Sequence, residues 1–170
     1  MKKFQPFIFA IFLIIACTEQ DQSLEAARML YKNSPCQESG WDQRSIDECY
    51  IDTNLTQISE CNVIRTKYIR EWCYKKIAIV KNNTELCEEI KDQLTKDKCY
   101  GELARLRKDY SLCEKLKIEE YDDGLSINAP KSDCFIDIAL LTKDRSVCEK
   151  MNDSYFEQRC LGLIASATKS

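Results

Sequence analysis

The chain has 170 residues, of which 44% are hydrophobic and 31% charged, and its formal net charge is −3. This composition suits one globular domain, and the mild acidity gives no reason to expect a nucleic-acid partner. Eleven cysteines and no histidine exclude a Ser-His-Asp or Cys-His catalytic arrangement, a histidine metal ligand and a c-type haem motif.

The first residues have the pattern of an export signal. A basic start, MKK, precedes an apolar run over 7–16, which is too short to span a bilayer as a helix. The run ends in IIAC at 14–17, which resembles the lipobox of bacterial lipoproteins. The resemblance implies cleavage after Ala16 and lipidation of Cys17, which would anchor the protein to a membrane. An ordinary secretory signal with a chance cysteine is the alternative.

This interpretation divides the chain into a signal peptide (1–16), a lipidated tether (17–22) and a cysteine-rich domain (23–170). Thr18, and not aspartate, follows the lipidated cysteine. By analogy with lipoprotein sorting, this favours the outer membrane if the source bacterium has two membranes. We therefore expect an extracytoplasmic protein that is lipid-anchored to a bacterial membrane.

The other ten cysteines are an even number, as a disulfide framework requires. An exported protein meets an oxidising environment, so five disulfides are expected. A metal or iron–sulfur site is the alternative, and it needs closely spaced thiolates. No two of the ten cysteines are closer than twelve positions, so we expect no metal and no cofactor.

An internal repeat organises these cysteines. DYSLCEKL at 109–116 and DRSVCEKM at 144–151 are nearly the same eight residues. Two kinds of cysteine alternate along the chain. We call the first kind A and the second kind B. The A cysteines are Cys36, Cys61, Cys87, Cys113 and Cys148, and the B cysteines are Cys49, Cys73, Cys99, Cys134 and Cys160.

Each A cysteine has polar neighbours that predict the start of a helix. Ser34, Ser59, Glu85, Ser111 and Ser146 stand two residues before it, and Gln37, Asn62, Glu88, Glu114 and Glu149 stand one residue after it. Ser-x-x-Glu and Ser-x-x-Gln are capping boxes, in which the serine hydroxyl accepts from a backbone N–H at the helix start. We therefore expect each A cysteine in the first turn of a short helix.

The B cysteines begin an apolar stripe, from which the first repeat departs with Thr53 and Asn54. Bulky apolar residues follow at plus one (Tyr50, Tyr74, Tyr100, Phe135, Leu161), aliphatic residues at plus four (Ile77, Leu103, Ile138, Ile164) and alanine at plus five (Ala78, Ala104, Ala139, Ala165). These positions share one face of a helix. A core between stacked helices is the favoured interpretation, and a ligand platform of aromatic rings is the alternative.

The predicted fold is all-α: a short array of five disulfide-stapled helical hairpins with an N-terminal capping helix at Ser23–Lys32. The A cysteines recur after 25, 26, 26 and 35 residues, and a period of this size indicates stacked helical units. The long interval contains DDGLSINAP at 122–130, which is predicted to be a loop. In architecture, but not in sequence motifs, the array resembles Sel1-like and tetratricopeptide repeats, so the resemblance implies no functional residues.

The expected pairing joins the two cysteines of one repeat: Cys36–Cys49, Cys61–Cys73, Cys87–Cys99, Cys113–Cys134 and Cys148–Cys160. The alternative joins each B cysteine to the next A cysteine and leaves Cys36 and Cys160 single. In the third repeat the internal turn lies midway between Cys87 and Cys99, so antiparallel helices bring these two level. Cys73 and Cys87 lie at unequal distances from the turn between them, which disfavours the alternative.

The sequence points only broadly to a function. Glu88, Glu114 and Glu149 could serve in acid–base catalysis, but their recurrence favours a structural role, so no enzyme is expected. Trp41 and Trp72 lie outside the repeat pattern; an exposed tryptophan would be a contact residue, although half-buried packing is the favoured interpretation. The leading hypothesis is a lipoprotein that binds a protein or peptide partner or acts as a scaffold. The alternatives are a protective envelope protein and a carboxylate-based carbohydrate-active enzyme.

Overall fold

The computed structural model describes residues 21–37, 40–117 and 130–168, and helices are the only regular secondary structure in these ranges. The predicted all-α array of disulfide-stapled hairpins is confirmed. The α-helices are α1 (21–32), α2 (Gln43–Ile51), α3 (Ile58–Asn62), α4 (Lys67–Val80), α5 (Glu85–Glu88), α6 (Gln93–Arg107), α7 (Pro130–Thr142) and α8 (Ser154–Ala167), and 3₁₀ helices span Tyr110–Lys115 and Arg145–Lys150. The chain forms two compact units, Met1–Cys73 and Tyr74–Ser170.

The five disulfides have the expected within-repeat pairing. They join Cys36–Cys49, Cys61–Cys73, Cys87–Cys99, Cys113–Cys134 and Cys148–Cys160, with Cα–Cα distances of 5.5–5.8 Å. In the last four repeats each bridge ties a helix of four to six residues to a helix of 13 to 15 residues. Helices of the shorter length do not persist alone in water, so the bridge holds them in place. Cys36 differs, because it lies in a turn.

In the first unit, α1 packs against α2 through two tyrosines. Tyr31 and Tyr50 meet edge to face, with 4.8 Å between ring centroids, and both are buried with Ala27. The predicted N-terminal helix is thus present, although the described part already begins at residue 21. It covers the tyrosine that follows the first B cysteine.

A buried carboxylate joins three segments of this unit. Asp47 is fully buried on α2, and its Oδ1 accepts from the Tyr31 hydroxyl of α1 at 2.5 Å and from Gln43 Nε2 at 3.0 Å. Its Oδ2 accepts from the backbone N–H of Thr66, just before α4, at 2.6 Å. Burial alone would raise the pKa of Asp47, but hydrogen bonds from Thr66, Tyr31 and Arg65 outweigh it and hold the pKa below its ordinary value.

A second buried, hydrogen-bonded carboxylate lies in the second unit. Asp97 stands two residues before its B cysteine, as Asp47 does, and is buried. It accepts from Gln93 Nε2 at 2.5 Å and from the backbone N–H of Lys117 at 2.9 Å. In both cases the carboxylate caps backbone that follows the short helix of the next repeat. These contacts therefore join the first repeat to the second and the third to the fourth.

The turn between repeats is built without glycine. Asn82, Lys108 and Lys143 have φ angles of 48°, 54° and 56° and stand five residues before an A cysteine. The backbone N–H of the next residue donates to an alanine carbonyl of the preceding helix, at 2.9 Å from Asn83, 3.0 Å from Asp109 and 3.2 Å from Asp144. This is the Schellman arrangement that ends many helices. The side chains of these three alanines are fully buried in the core.

The predicted capping boxes are wrong in most repeats. The carboxylates of Asp109 and Asp144 accept from the backbone N–H of Ser111 and Ser146, so each serine lies inside its 3₁₀ helix. Aspartate is as good an N-cap as serine, and the turn described above places the aspartate at the helix start. In the second repeat, Gln57 forms a capping box with Glu60, and Ser59 is again inside the helix.

In the third repeat, the acid that follows the A cysteine does not cap the helix. Glu88 accepts from the Tyr100 hydroxyl and from Lys96 Nζ, the latter at 3.2 Å, and so joins α5 to α6. These hydrogen bonds lower the pKa of Glu88, the bond from Tyr100 most strongly. Glu114 and Glu149 are exposed.

The apolar stripe forms the core, as predicted. Buried members of the stripe are Tyr50, Tyr100, Phe135, Ile77, Leu103, Ile138, Ile164, Ala78, Ala104 and Ala139. Tyr74 and Leu161 are half-buried. Ala165 is exposed on α8, where the described part of the chain contains no further repeat to cover it. In the second unit α6 contacts α7, and α7 contacts α8.

Two predicted features lie outside the described residues: the Cys17 region and most of the loop over 122–130. Both stay predictions.

We expect Asp47→Asn to destabilise the protein by about 2–4 kcal/mol at pH 7, because an amide nitrogen cannot accept the hydrogen bonds that one carboxylate oxygen receives. Urea denaturation measures the change. Asp52→Asn is the control, since Asp52 is exposed at the end of α2, and it should change stability by less than about 0.5 kcal/mol.

The comparison of Asp47→Asn with wild type also tests how the stabilisation depends on pH. The pKa of Asp47 is lower in the folded state, so its contribution is present above the unfolded value of about 3.9 and is lost as the pH falls through the folded pKa. The difference between Asp47→Asn and wild type should therefore narrow below about pH 4. A difference that stays constant down to pH 2 would show that the carboxylate charge is not what stabilises the site.

Tyrosines at equivalent repeat positions should respond oppositely to loss of the hydroxyl. Burial raises the pKa of Tyr50 to about 12, and its hydroxyl is buried with no hydrogen-bond partner in the described ranges, whereas Tyr100 donates to Glu88. We expect Tyr50→Phe to leave stability unchanged or raise it by about 1 kcal/mol, and Tyr100→Phe to lower it by about 1 kcal/mol. Thermal unfolding of both variants gives the comparison, and a reversed order would contradict the assignment.

Candidate binding surface

An exposed aromatic cluster lies on the first unit. We call Arg44, Glu48, Tyr68 and Trp72 the aromatic patch. Tyr68 and Trp72 are 42% and 55% exposed, and their rings meet edge to face with centroids 6.5 Å apart. The Arg44 guanidinium carbon lies 5.4 Å from the centroid of the Tyr68 ring. Two large aromatic surfaces are therefore available to a partner without rearrangement of the core.

Two helices place the patch. Arg44 and Glu48 are four residues apart on α2, and Tyr68 and Trp72 are four residues apart on α4, so each pair shares a helix face. The carboxylate of Asp47, next to Glu48, accepts from the backbone N–H of Thr66 just before α4. Trp72 precedes Cys73, which is bonded to Cys61. The fold thus holds both sides of the patch.

Hydrogen bonds fix the polar members of the patch. Glu48 Oε1 accepts from Arg44 Nε at 2.7 Å and from the Tyr68 hydroxyl at 3.1 Å. The bonds from Arg44 and Tyr68 lower the pKa of Glu48, and the bond to Glu48 raises that of Arg44. Desolvation raises the pKa of Tyr68 most strongly, and its hydrogen bond to Glu48 raises it further. At neutral pH the patch therefore presents a charged pair and an un-ionised tyrosine.

The exposure of both tryptophans corrects the sequence-based expectation of half-buried packing. Trp41 is 43% exposed beside Gly40, which has a φ of 97°, and Trp72 is the more exposed of the two. The A–B pattern could not show this, because exposure depends on which neighbouring helix covers each face. The signal that was available is that Trp72 points away from the stripe that begins at Cys73.

The other candidate residues have structural positions. All ten A and B cysteines are in disulfides. Glu88, Glu114 and Glu149 belong to different repeats. Within the described ranges no cluster of three or more acidic, cysteine or histidine side chains could hold a metal ion.

Comparisons with known proteins identify no relative: no family, no curated protein and no solved structure matches this chain. The disulfides nevertheless indicate an oxidising, extracytoplasmic environment. Over the part of the chain that is described, no helix combines the length and apolar character needed to cross a membrane.

Proposed function

We propose that the protein is a lipid-anchored extracytoplasmic binding module that holds a protein partner through the aromatic patch. The observation that carries the proposal is the exposed Tyr68–Trp72 pair, in which Tyr68 contacts Arg44 and Glu48. Tryptophan, tyrosine and arginine dominate the binding energy of protein interfaces. Side chains already held in one arrangement lose less entropy on binding.

The rest of the fold supports this use. The disulfides support an extracytoplasmic location, and a stapled array resists the local opening on which proteases act. The lipobox-like IIAC at 14–17 supplies an anchor through Cys17. A protective envelope protein without a dedicated partner is the competing function, and it requires no particular residue in the aromatic patch.

We expect Trp72→Ala to reduce capture of an envelope partner by on the order of thirty-fold, the factor that corresponds to about 2 kcal/mol for a central interface tryptophan. The bait is the full lipidated protein, expressed in its own host. Proteins that co-purify with it are quantified by mass spectrometry. Tyr68→Ala should act in the same direction.

Tyr155→Ala is the matched control, because Tyr155 is 60% exposed in the second unit and its loss should leave capture unchanged. Circular dichroism verifies that each variant is folded. Equal capture by wild type and Trp72→Ala would reject the patch as the binding surface. Absence of any partner specific to the wild type would favour the protective function.

Cys17→Ser should abolish lipidation. Cells fed an alkynyl fatty acid should label the wild type and not the variant, and the variant should leave the membrane fraction, because a thioether to diacylglycerol cannot form on a hydroxyl. Cys36→Ser controls for general effects of cysteine loss. A Cys17→Ser protein that still takes up label and stays in the membrane fraction would contradict the proposed anchor.

A further inference from the structure

A second feature of the first unit is a groove with positively charged walls. We call it the cationic groove. It has a volume of about 460 Å³ and is lined by Arg28, Lys32, Arg65, Gln37 and Asn62, together with Tyr31 and Val63. None of these lining residues is acidic, although acidic residues outnumber basic ones in the chain as a whole.

Among the described residues, the cations of the groove form one ion pair. Arg28 and Lys32 stand four residues apart on α1, where like charges repel each other. Arg28 makes one exposed contact of 3.4 Å with Glu25. In the described ranges neither Lys32 nor Arg65 forms an ion pair. A bound anion would relieve the repulsion that this arrangement creates.

The two amide residues of the groove stand next to disulfides in the chain. Gln37 follows Cys36 and Asn62 follows Cys61, and both cysteines are bridged. Gln37 Nε2 donates to the backbone carbonyl of Tyr31 at 3.2 Å. Donors positioned before binding cost less entropy when a ligand arrives.

The buried carboxylate of Asp47, which is bonded to Tyr31 of the groove, is already hydrogen-bonded. The Asp47 carboxylate accepts from the Tyr31 hydroxyl, from Gln43 and from the backbone N–H of Thr66. The backbone N–H of Arg65 also supports it, and Arg65 lines the groove. The negative charge is thus satisfied internally by hydrogen bonds.

We propose that the cationic groove binds a phosphate group. Three cations and two side-chain amides line the groove from α1, from the segment that follows α1, and from the end of α3 and the turn beyond it. This arrangement suits a compact anion whose oxygens point in several directions. Arginine forms paired hydrogen bonds with phosphate oxygens, and lysine adds a point charge. The phosphate belongs either to a soluble phosphorylated molecule or to a phospholipid headgroup. The proposal does not depend on the protein-binding role of the aromatic patch.

Nuclear magnetic resonance tests it on the full-length lipidated protein in phosphatidylcholine nanodiscs. The side-chain amide signals of Gln37 and Asn62 are followed while inorganic phosphate replaces chloride at constant ionic strength. We expect saturable shifts at both amides. Lys32→Gln combined with Arg65→Gln should weaken binding at least about tenfold. Arg145→Gln with Lys150→Gln removes the same charge from exposed positions of the second unit and should change affinity less than about twofold.

A second arm separates the two sources of phosphate. In this arm the protein is placed in phosphatidylglycerol nanodiscs without added phosphate. Shifts of the same amides that disappear in the Lys32→Gln, Arg65→Gln variant would assign the ligand to a headgroup. Shifts with inorganic phosphate alone would assign it to a soluble molecule. The proposal is overturned if neither probe shifts the amides, if both double variants weaken binding equally, or if a hexaglutamate peptide binds the groove more tightly than phosphate.

Discussion

Each repeat depends on one covalent constraint, the bond between the cysteine of a short segment and the cysteine of the longer helix that follows. The short helices have four to six residues, too few to persist unaided. Once they are bridged, the residues beside the cysteines acquire fixed positions. Trp72 is placed in the aromatic patch in this way, and Gln37 and Asn62 in the cationic groove.

Buried carboxylates extend the constraint from one repeat to the next. Asp47 and Asp97 each accept a backbone N–H that lies 19 or 20 residues further on. A buried charge is costly unless it is fully hydrogen-bonded, so each carboxylate fixes the position of the turn that satisfies it. Such a contact specifies how neighbouring repeats meet more narrowly than aliphatic packing does, because only one arrangement supplies the donors.

The repeat period, the apolar stripe and the cysteine count were sufficient to predict the fold and the pairing, because both depend on how residue types are spaced along the chain. The helix starts were not predictable in detail. Aspartate and serine cap equally well. Which of them begins the helix is decided by a left-handed turn, which Lys108 and Lys143 form where glycine would be expected. The buried acids were missed because charges are placed on surfaces by default. The available signal was their recurrence two residues before the first three B cysteines, at Asp47, Glu71 and Asp97. Gln37 and Asn62 share the position after an A cysteine, but the cations of the groove belong to no motif, so only the fold reveals the groove.

The order of the disulfides has a consequence for how the chain matures. Each A cysteine is joined to the B cysteine that follows it directly in the sequence, so none of these bridges encloses or crosses another. A chain that emerges from its N-terminus into an oxidising compartment presents the two partners of each bridge before the next pair arrives. If the cysteines are oxidised in the order in which they emerge, the five native disulfides form directly. Folding then needs no isomerase to rearrange wrongly paired cysteines.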